Sequence, residues 1–272
     1  MNAQITRVKH LLWRAGFGPD PERWPRWRQL APGAVLDELL ASSQAGELPP
    51  LAPLPPLGRP RQMSPEERQA FNQSNRQALL GLNAGWLGHM VRTRDVLREK
   101  MVLFWHDHIA CRLTYSHLVQ RQQAVFRQHA LGTFGAPLHA IARDSGMLQF
   151  LNNQQNRKAH PNENFARELR ELFTLGRGHY TEAAVQAAAR AFTGWGFNRE
   201  GAFVFRRAWH DDGPKTFLGK TGPWDGDDIL RILLTRRHTA YFLTEKLYRY
   251  FVHPEPDVEQ VAVWAEAFYA SG

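Results

Sequence analysis

Acid–base or metal chemistry could arise first in the stretch FWHDH, residues 104–108, which holds two histidines one residue apart. Histidine titrates near neutral pH, and its neutral ring is a common metal ligand. The stretch is predicted to be helical, and residues at i and i+2 of a helix point about 200° apart, so one metal would not bind both rings. His108 shares an apolar face, which favours a hydrogen-bonded core histidine, and it is also a candidate metal ligand. His106, on the side of Glu99, is a catalytic candidate.

The second stretch, residues 160–178, reads HPNENFARELRELFTLGRG and predicts a helix over 161–176. Proline is tolerated in the first turn, where its missing N–H would have no helical partner, and the glycines at the end suit a left-handed cap. One face is apolar at helical spacing, and Arg170 falls opposite it. That face, which should pack on the core, consists of Phe165, Leu169, Leu172 and Phe173.

Polar side chains along the border of this face are the candidates for chemistry. Asn164, Glu168 and Glu171 recur at i, i+4 and i+7, an arrangement that could supply oxygen ligands or a general base. Ion pairs of Arg167 with Glu163 and Glu171 are the simpler explanation of the spacing. Those pairs leave Glu168 and Asn164 unexplained.

Glu168 is therefore the leading catalytic candidate, and His160 and Asn164 are candidates for metal binding. Burial of Glu168 would raise its pKa unless a cation pairs with it. We predict that Glu168 is largely buried and paired with a histidine or with an arginine of a flanking helix, Arg143 or Arg190.

The third stretch, residues 210–215, reads HDDGPK and is predicted to be a loop. A histidine beside acidic residues can bind a metal or transfer protons, whereas Asp, Gly and Pro also make ordinary turns. The spacing does not separate these two interpretations. His210 is a catalytic candidate and Asp211 a metal-ligand candidate. The candidates for substrate binding are Lys215, Arg167 and Trp195.

Composition excludes several classes of protein. The 272 residues are 43% hydrophobic and 22% charged, which is typical of a globular protein. Arginine outnumbers lysine, 28 to 6, and the net charge is +8. The charges are spread along the chain, so nucleic acid is not expected as a partner. No apolar run is long enough for a membrane span, and the start lacks a signal peptide, so we predict a cytoplasmic location for the chain as given. The single Cys111 excludes an intrachain disulfide.

The patterns predict a mainly α, multi-helix globular domain with a small β-hairpin. Strands at 203–205 and 216–218 would flank an Asp-Gly turn, which predicts a hairpin or an excursion loop within 203–219. We divide the chain into N-terminal helices at 1–47, a proline-rich linker or surface wrap at 48–63, and a helical main domain at 64–272. The chain stops just after a helix, so we interpret it as truncated at the C-terminus.

Several stretches together resemble a bacterial family catalogued as domain of unknown function eighteen hundred. The resemblance implies a mostly helical fold, members longer at the C-terminus, and export signals in many of them. It supplies no catalytic residues. The matching stretches are HLLWRAGFGP (10–19), EKMVLFWHDHIA (99–110), HPNENFARELRELFTLG (160–176), ARAFTGW (189–195) and HDDGPKTFLG (210–219).

Two functions remain open from the sequence. The first is a metal-dependent hydrolase or other His/Glu-based enzyme, with a divalent metal as candidate cofactor. It requires that a common cleft holds His106 or His108, His160, Glu168 and His210. The alternative is a non-catalytic binding or assembly module with a protein partner, since Trp and Arg are enriched at interfaces. An exposed apolar patch near 238–272 would fit such a module.

Overall fold

The computed structural model describes residues 3–45, 63–198 and 200–271, and within these ranges the chain is mainly helical. The described residues form thirteen α-helices, one π-helical segment, short 3₁₀ turns and two separate two-stranded antiparallel sheets. The predicted fold class is confirmed. The proline-rich prediction at 48–63 lies, except for Met63, outside the described residues. None of the described helices combines the length and the apolarity needed to cross a bilayer. The chain divides into two compact units.

Unit 1 comprises Met1–Asp107 and Tyr115–Leu131. One core cluster holds its first helices together through the apolar residues Val8, Leu12, Ala15, Trp27, Val35, Leu39 and Leu97. The helices of this part of the chain are α1 (Ala3–Arg14), α2 (Trp24–Trp27), α3 (Pro32–Ala45), α4 (Pro65–Arg92), α5 (Val96–His108) and α6 (Ser116–His129).

Helix α4 begins at the predicted capping box. The Ser64 side chain accepts from the backbone N–H of Glu67, the Glu67 side chain accepts from the backbone N–H of Ser64, and Pro65 occupies the first turn. None of its described residues is buried, although it runs for 28 residues. Its contacts within unit 1 include polar ones: Trp86 Nε1 donates to Glu99 Oε2 at 2.9 Å.

Unit 2 comprises His108–Thr114 and Gly132–Gly272. Its core is built from alanine, leucine and aromatic side chains of the helices that surround α10, whose six buried residues include five alanines and one valine. Its elements are α7 (Gly135–Ala142), α8 (Ser145–Phe150), α9 (Asn164–Glu168), the π-helical segment (Leu169–Thr174), α10 (Glu182–Ala191), β1 (Trp195–Phe197), β2 (Phe203–Phe205), β3 (Lys215–Phe217), β4 (Lys220–Gly222), α11 (Gly226–Leu234), α12 (Arg237–Phe251) and α13 (Val258–Ser271).

The two predicted strands exist, but the predicted pairing between them is wrong. Strand β2 pairs with β1, and β3 pairs with β4. Backbone conformation explains the second pairing, because Leu218 and Gly219 both have positive φ, 48° and 83°. Two consecutive positive φ angles match the twist of a two-residue hairpin, so the chain reverses directly after β3.

The predicted helix at 161–176 begins later and changes type. It is α-helical only over Asn164–Glu168 and continues as the π-helical segment, ending before Gly176, whose φ is 77°. A π-helical turn holds more residues than an α-helical one and therefore rotates the following side chains. Consequently Leu172, predicted to be buried, is 39% exposed, and Arg170, predicted to face outward, is fully buried.

Candidate functional site

The HDDGPK loop of unit 2 holds His210 in one tautomer. His210 Nδ1 lies 2.9 Å from the carbonyl oxygen of Thr193, and a carbonyl only accepts hydrogen bonds, so Nδ1 carries the proton. The lone pair therefore resides on Nε2, which makes no hydrogen bond to any described residue. The side chain is 2% exposed, and the ring of Phe205 meets it edge-on at 5.1 Å.

Thr193 also holds the residue after this histidine. Its Oγ1 donates to the carbonyl of Arg190 at 2.6 Å and accepts from the backbone N–H of Asp211 at 2.9 Å. Thr193 follows directly on α10 in the ARAFTGW stretch. The turn after α10 therefore orients both the His210 ring and the loop backbone beside it.

Asp211 is engaged on both carboxylate oxygens. Arg190 Nε lies 2.6 Å from Oδ2 and Arg190 Nη2 lies 3.1 Å from Oδ1, while the backbone N–H of Gly213 also donates to Oδ1. The hydrogen bonds from Arg190 hold the pKa of Asp211 below its usual value. Arg190 therefore competes with any cation for this carboxylate, and the predicted role of Asp211 as a metal ligand stays a prediction.

Lys215 is buried beneath the loop and holds it through hydrogen bonds to the loop backbone. It is 1% exposed, and its Nζ donates to the carbonyl oxygens of Asp211 and of Gly213, the latter at 3.0 Å. Burial lowers the pKa of Lys215. Because the ammonium group donates two of its three N–H groups to its own loop, Lys215 stabilises the loop conformation, and its predicted substrate-binding role stays a prediction.

Two asparagines of the amide-rich run NNQQN, residues 152–156, hydrogen-bond to the backbone of this region. Asn153 Nδ2 lies 3.3 Å from the carbonyl oxygens of Phe192 and Trp195, and Asn156 Nδ2 lies 2.9 Å from that of Ala189. Both asparagines are fully buried. In the sequence this run predicts only a turn, so Asn153 and Asn156 were not identified as residues that hold the region in place. The one signal for this role in the sequence was the presence of asparagines between apolar segments.

Other predicted site residues of unit 2 lie apart from this loop in their contacts. His108 is 6% exposed among three phenylalanine rings, and its Nε2 donates to the carbonyl of Phe173 at 3.1 Å. Burial, with a smaller effect of Lys246, lowers the pKa of His108 to about 3. It is therefore a neutral core histidine, as its apolar face indicated. His160 is exposed.

The predicted pairing of Glu168 is wrong, whereas its catalytic role stays a prediction. It is half-buried, and no ion pair or hydrogen bond of its side chain occurs in the described part of the chain. The expected partners bind elsewhere, since Arg143 pairs with Asp227 and Arg190 with Asp211. The π-helical segment rotates only the side chains that come after its start. Glu168 precedes the segment, so its side chain is not turned inward.

The remaining candidates on this helix and on β1 have structural contacts. Asn164 is exposed. Arg167 pairs with three glutamates, Glu163, Glu171 and Glu182. Trp195 is 3% exposed, and its ring lies 5.3 Å from the guanidinium carbon of Arg143.

Unit 1 holds its own polar cluster, which the sequence did not identify as a site. Glu99 is 1% exposed and bonded to Arg127 and Trp86, with His89 Nε2 3.5 Å away. Burial alone would raise the pKa of Glu99, but the bonds and charge of Arg127 lower it overall. His106 meets the Trp86 ring edge-on at 5.4 Å, and burial lowers its pKa.

In the residues that the structure describes, no group of three or more His, Cys, Asp or Glu side chains is arranged to hold a metal ion. Of the predicted catalytic and metal-binding residues, His210 and Asp211 are adjacent in sequence, and the predicted metal-ligand roles stay predictions.

Comparison with known proteins gives a family without an assigned activity. No curated protein and no solved structure matches the chain. The model of one family matches residues 10–272, which is nearly the whole sequence and includes all the stretches that carry the resemblance. The chain belongs to the family described as Protein of unknown function (DUF1800).

Proposed function

We propose that the chain is a histidine-based enzyme in which His210 acts as the general base of a hydrolysis or proton-transfer reaction. One observation carries the proposal: Nδ1–H is bound to the Thr193 carbonyl, and Nε2 is left with a lone pair and no hydrogen-bond partner among the described residues. A base oriented in this way is ready to take a proton at Nε2.

The surrounding loop supports the orientation that such chemistry needs. Thr193 holds the backbone of Asp211, Arg190 holds its carboxylate, and Lys215 holds its carbonyl. A general base works efficiently when its own neighbours fix its position. These contacts therefore hold the His210 ring in position without a large rearrangement of the loop.

The proposed step is a single proton transfer. His210 Nε2 takes a proton from water or from a substrate hydroxyl, and the ring becomes an imidazolium whose Nδ1–H still donates to the Thr193 carbonyl. The attacking oxygen is left more nucleophilic. His210 is 2% exposed, so a reactant reaches it only when a neighbouring side chain moves, and Phe205, which contacts the His210 ring and is 36% exposed, is the candidate. No metal enters this step.

The experiment is a comparison of single variants on a panel of ester, amide, phosphoester and glycoside substrates. We expect His210→Gln to lower any activity found by about two to four orders of magnitude. His253→Gln is the matched control, because His253 is exposed in the loop between α12 and α13. Activity that survives in His210→Gln would refute the role of His210.

The tautomer can be tested without a substrate. Long-range ¹⁵N–¹H correlation spectra of the folded protein should report a protonated Nδ1 and an unprotonated Nε2 for His210. The opposite pattern would remove the basis of the proposal.

A second candidate function is an assembly module, which the exposed apolar side chains of α13 favour. Val258, Val263 and Trp264 are 64%, 65% and 43% exposed. Exposed apolar surface can mark an interaction site, and Val263 and Trp264 are neighbours in the sequence of this helix. Light scattering of wild type and of Val263→Lys tests this function: self-association that the charge abolishes would support it, and a monomer at all concentrations would contradict self-assembly through α13.

A further inference from the structure

Arg170, in the π-helical segment of unit 2, is a buried cation whose terminal nitrogens have no hydrogen-bond partner in the part of the chain that the structure describes. The side chain is fully buried, and Nε donates to the carbonyl of Ala166 at 3.0 Å. Nη1 and Nη2 are buried without an acceptor. A buried charge with unmade hydrogen bonds destabilises the folded state. Any state that supplies acceptors to these nitrogens is therefore strongly favoured.

The nearby carboxylates do not fill this role. Glu171 and Glu182 lie close enough to influence Arg170, but Glu182 is bound by Arg167 at 2.8 and 3.0 Å. Glu171 accepts from Tyr180 and pairs with Arg167 and Arg177. Both acids are thus committed to other donors. The fork of N–H groups on Arg170 remains open to an acceptor from outside the chain.

Tyr180 covers the guanidinium. The ring centroid lies 4.6 Å from the guanidinium carbon of Arg170, and the buried Phe217 ring lies beyond it at 5.9 Å. Tyr180 itself is half-buried, and its hydroxyl donates to Glu171. It stands in the short connection between the π-helical segment and α10, where Gly176 and Gly178 have φ angles of 77° and 84°. Of the two rings, Tyr180 is the one that can swing towards solvent.

We propose that Arg170 anchors a binding site for a small oxyanion, a carboxylate or phosphate group, and that Tyr180 covers this site when it is empty. A guanidinium offers two parallel N–H groups that match two oxygens of such a group. Because Arg170 exposes no surface, the anion enters when Tyr180 moves outward. The cost of displacing Tyr180 is offset by the hydrogen bonds that Nη1 and Nη2 gain. The site is independent of the role proposed for His210.

The test is binding of simple anions to the full chain. Sodium phosphate, sulfate and formate are compared with sodium chloride at the same ionic strength and pH, with the melting temperature and calorimetric titration as readouts. We expect oxyanions to raise the Tm by a few degrees relative to chloride, because a ligand that binds the folded state stabilises it. Phosphate and formate separate the two classes of ligand.

Variants locate the site. Arg170→Met should abolish the difference between oxyanion and chloride, whereas Tyr180→Ala should tighten oxyanion binding several-fold, because the cover is gone. Arg177→Met is the control, since the Arg177 side chain is 83% exposed and also pairs with Glu171. It should keep the wild-type response.

Two results would overturn the proposal. If wild type and Tyr180→Ala both fail to distinguish oxyanions from chloride, buried water satisfies Arg170 instead. If Arg170→Met keeps the full response, the anion binds elsewhere. Should Arg170→Met not fold, the comparison of wild type with Tyr180→Ala still decides, because a cover that blocks no ligand cannot change the affinity.

Discussion

Glu99 of α5 and Arg127 of α6 neutralise each other inside unit 1, with Arg127 Nε and Nη2 2.5 and 2.9 Å from the two carboxylate oxygens. Their exposed fractions are 1% and 9%. Away from water, the attraction between the charges is strong, and so is the penalty for leaving either charge alone. Removal of one partner alone would therefore destabilise unit 1.

Loss of the Glu99 charge should be costly. We expect Glu99→Gln to lower the free energy of unfolding by about 3–5 kcal/mol, because Arg127 would remain buried without its counter-charge. Urea unfolding measures the change. Glu245→Gln, which breaks the more exposed pair with Arg249, is the control and should cost less than about 1 kcal/mol. Equal, small effects of both changes would contradict a buried pair.

His108 should make stability dependent on pH. Its pKa falls from 6.5 to about 3 on folding, mainly through burial, so between these values the unfolded chain binds a proton that the folded chain rejects. Its contribution to stability is therefore complete above about pH 6.5 and decreases as the pH falls towards 3. His108→Gln, whose amide can still donate to Phe173, should flatten the profile of urea midpoints from pH 7 to 4.

The control for this profile is His253→Gln, because His253 is exposed. It should keep the wild-type slope. A slope that is unchanged in His108→Gln would mean that other groups carry the acid sensitivity.

Much of the fold follows from the sequence because apolar periodicity and capping residues are local signals. Phe165, Leu169 and Phe173 are buried as their spacing predicts, and α4 starts at its capping box. The sequence carries no such local signal for the π-helical segment, because nothing in the spacing of its apolar residues distinguishes it from an α-helix. The segment reversed the predicted positions of Leu172 and Arg170.

The site was less predictable, because hydrogen-bond partners come from distant parts of the chain. His210 stood out by its type and its acidic neighbours, but its orientation depends on Thr193, seventeen positions earlier. Glu168 was selected only for its position at the border of the apolar face. The arginines expected to pair with it form ion pairs with other carboxylates. A border position on a helix does not by itself identify a partner.

Gly176 should resist replacement more strongly than its neighbour Gly178. Both have positive φ, 77° and 84°, and an alanine there costs about 1–2 kcal/mol. At Gly176 the added methyl group would also lie 3.0 Å from the Phe242 ring, whereas at Gly178 it would meet no atom within 4 Å. Thermal unfolding of Gly176→Ala and Gly178→Ala should therefore differ, with Gly176→Ala less stable. Equal Tm values would mean that Phe242 moves aside without cost.

Lys215 should govern the order of its loop. In Lys215→Met the carbonyls of Asp211 and Gly213 lose their donor, which costs about 1–3 kcal/mol when such groups stay buried. We expect faster cleavage of residues 210–215 in limited proteolysis. Lys220→Met, at an exposed position of β4, is the matched control and should leave the cleavage pattern unchanged. Identical patterns for both variants would assign the loop's order to the Asp211–Arg190 pair alone.

Helix α4 is long but buries no described residue, and Trp86 and Asn75 join it to Glu99 and to the backbone of Ser116. Helices held by a few directional bonds can detach without opening an apolar core. Amide protons of α4 should then exchange with solvent through local opening events. Those of α1 and α3, packed in one core cluster, should exchange only when the cluster itself comes apart.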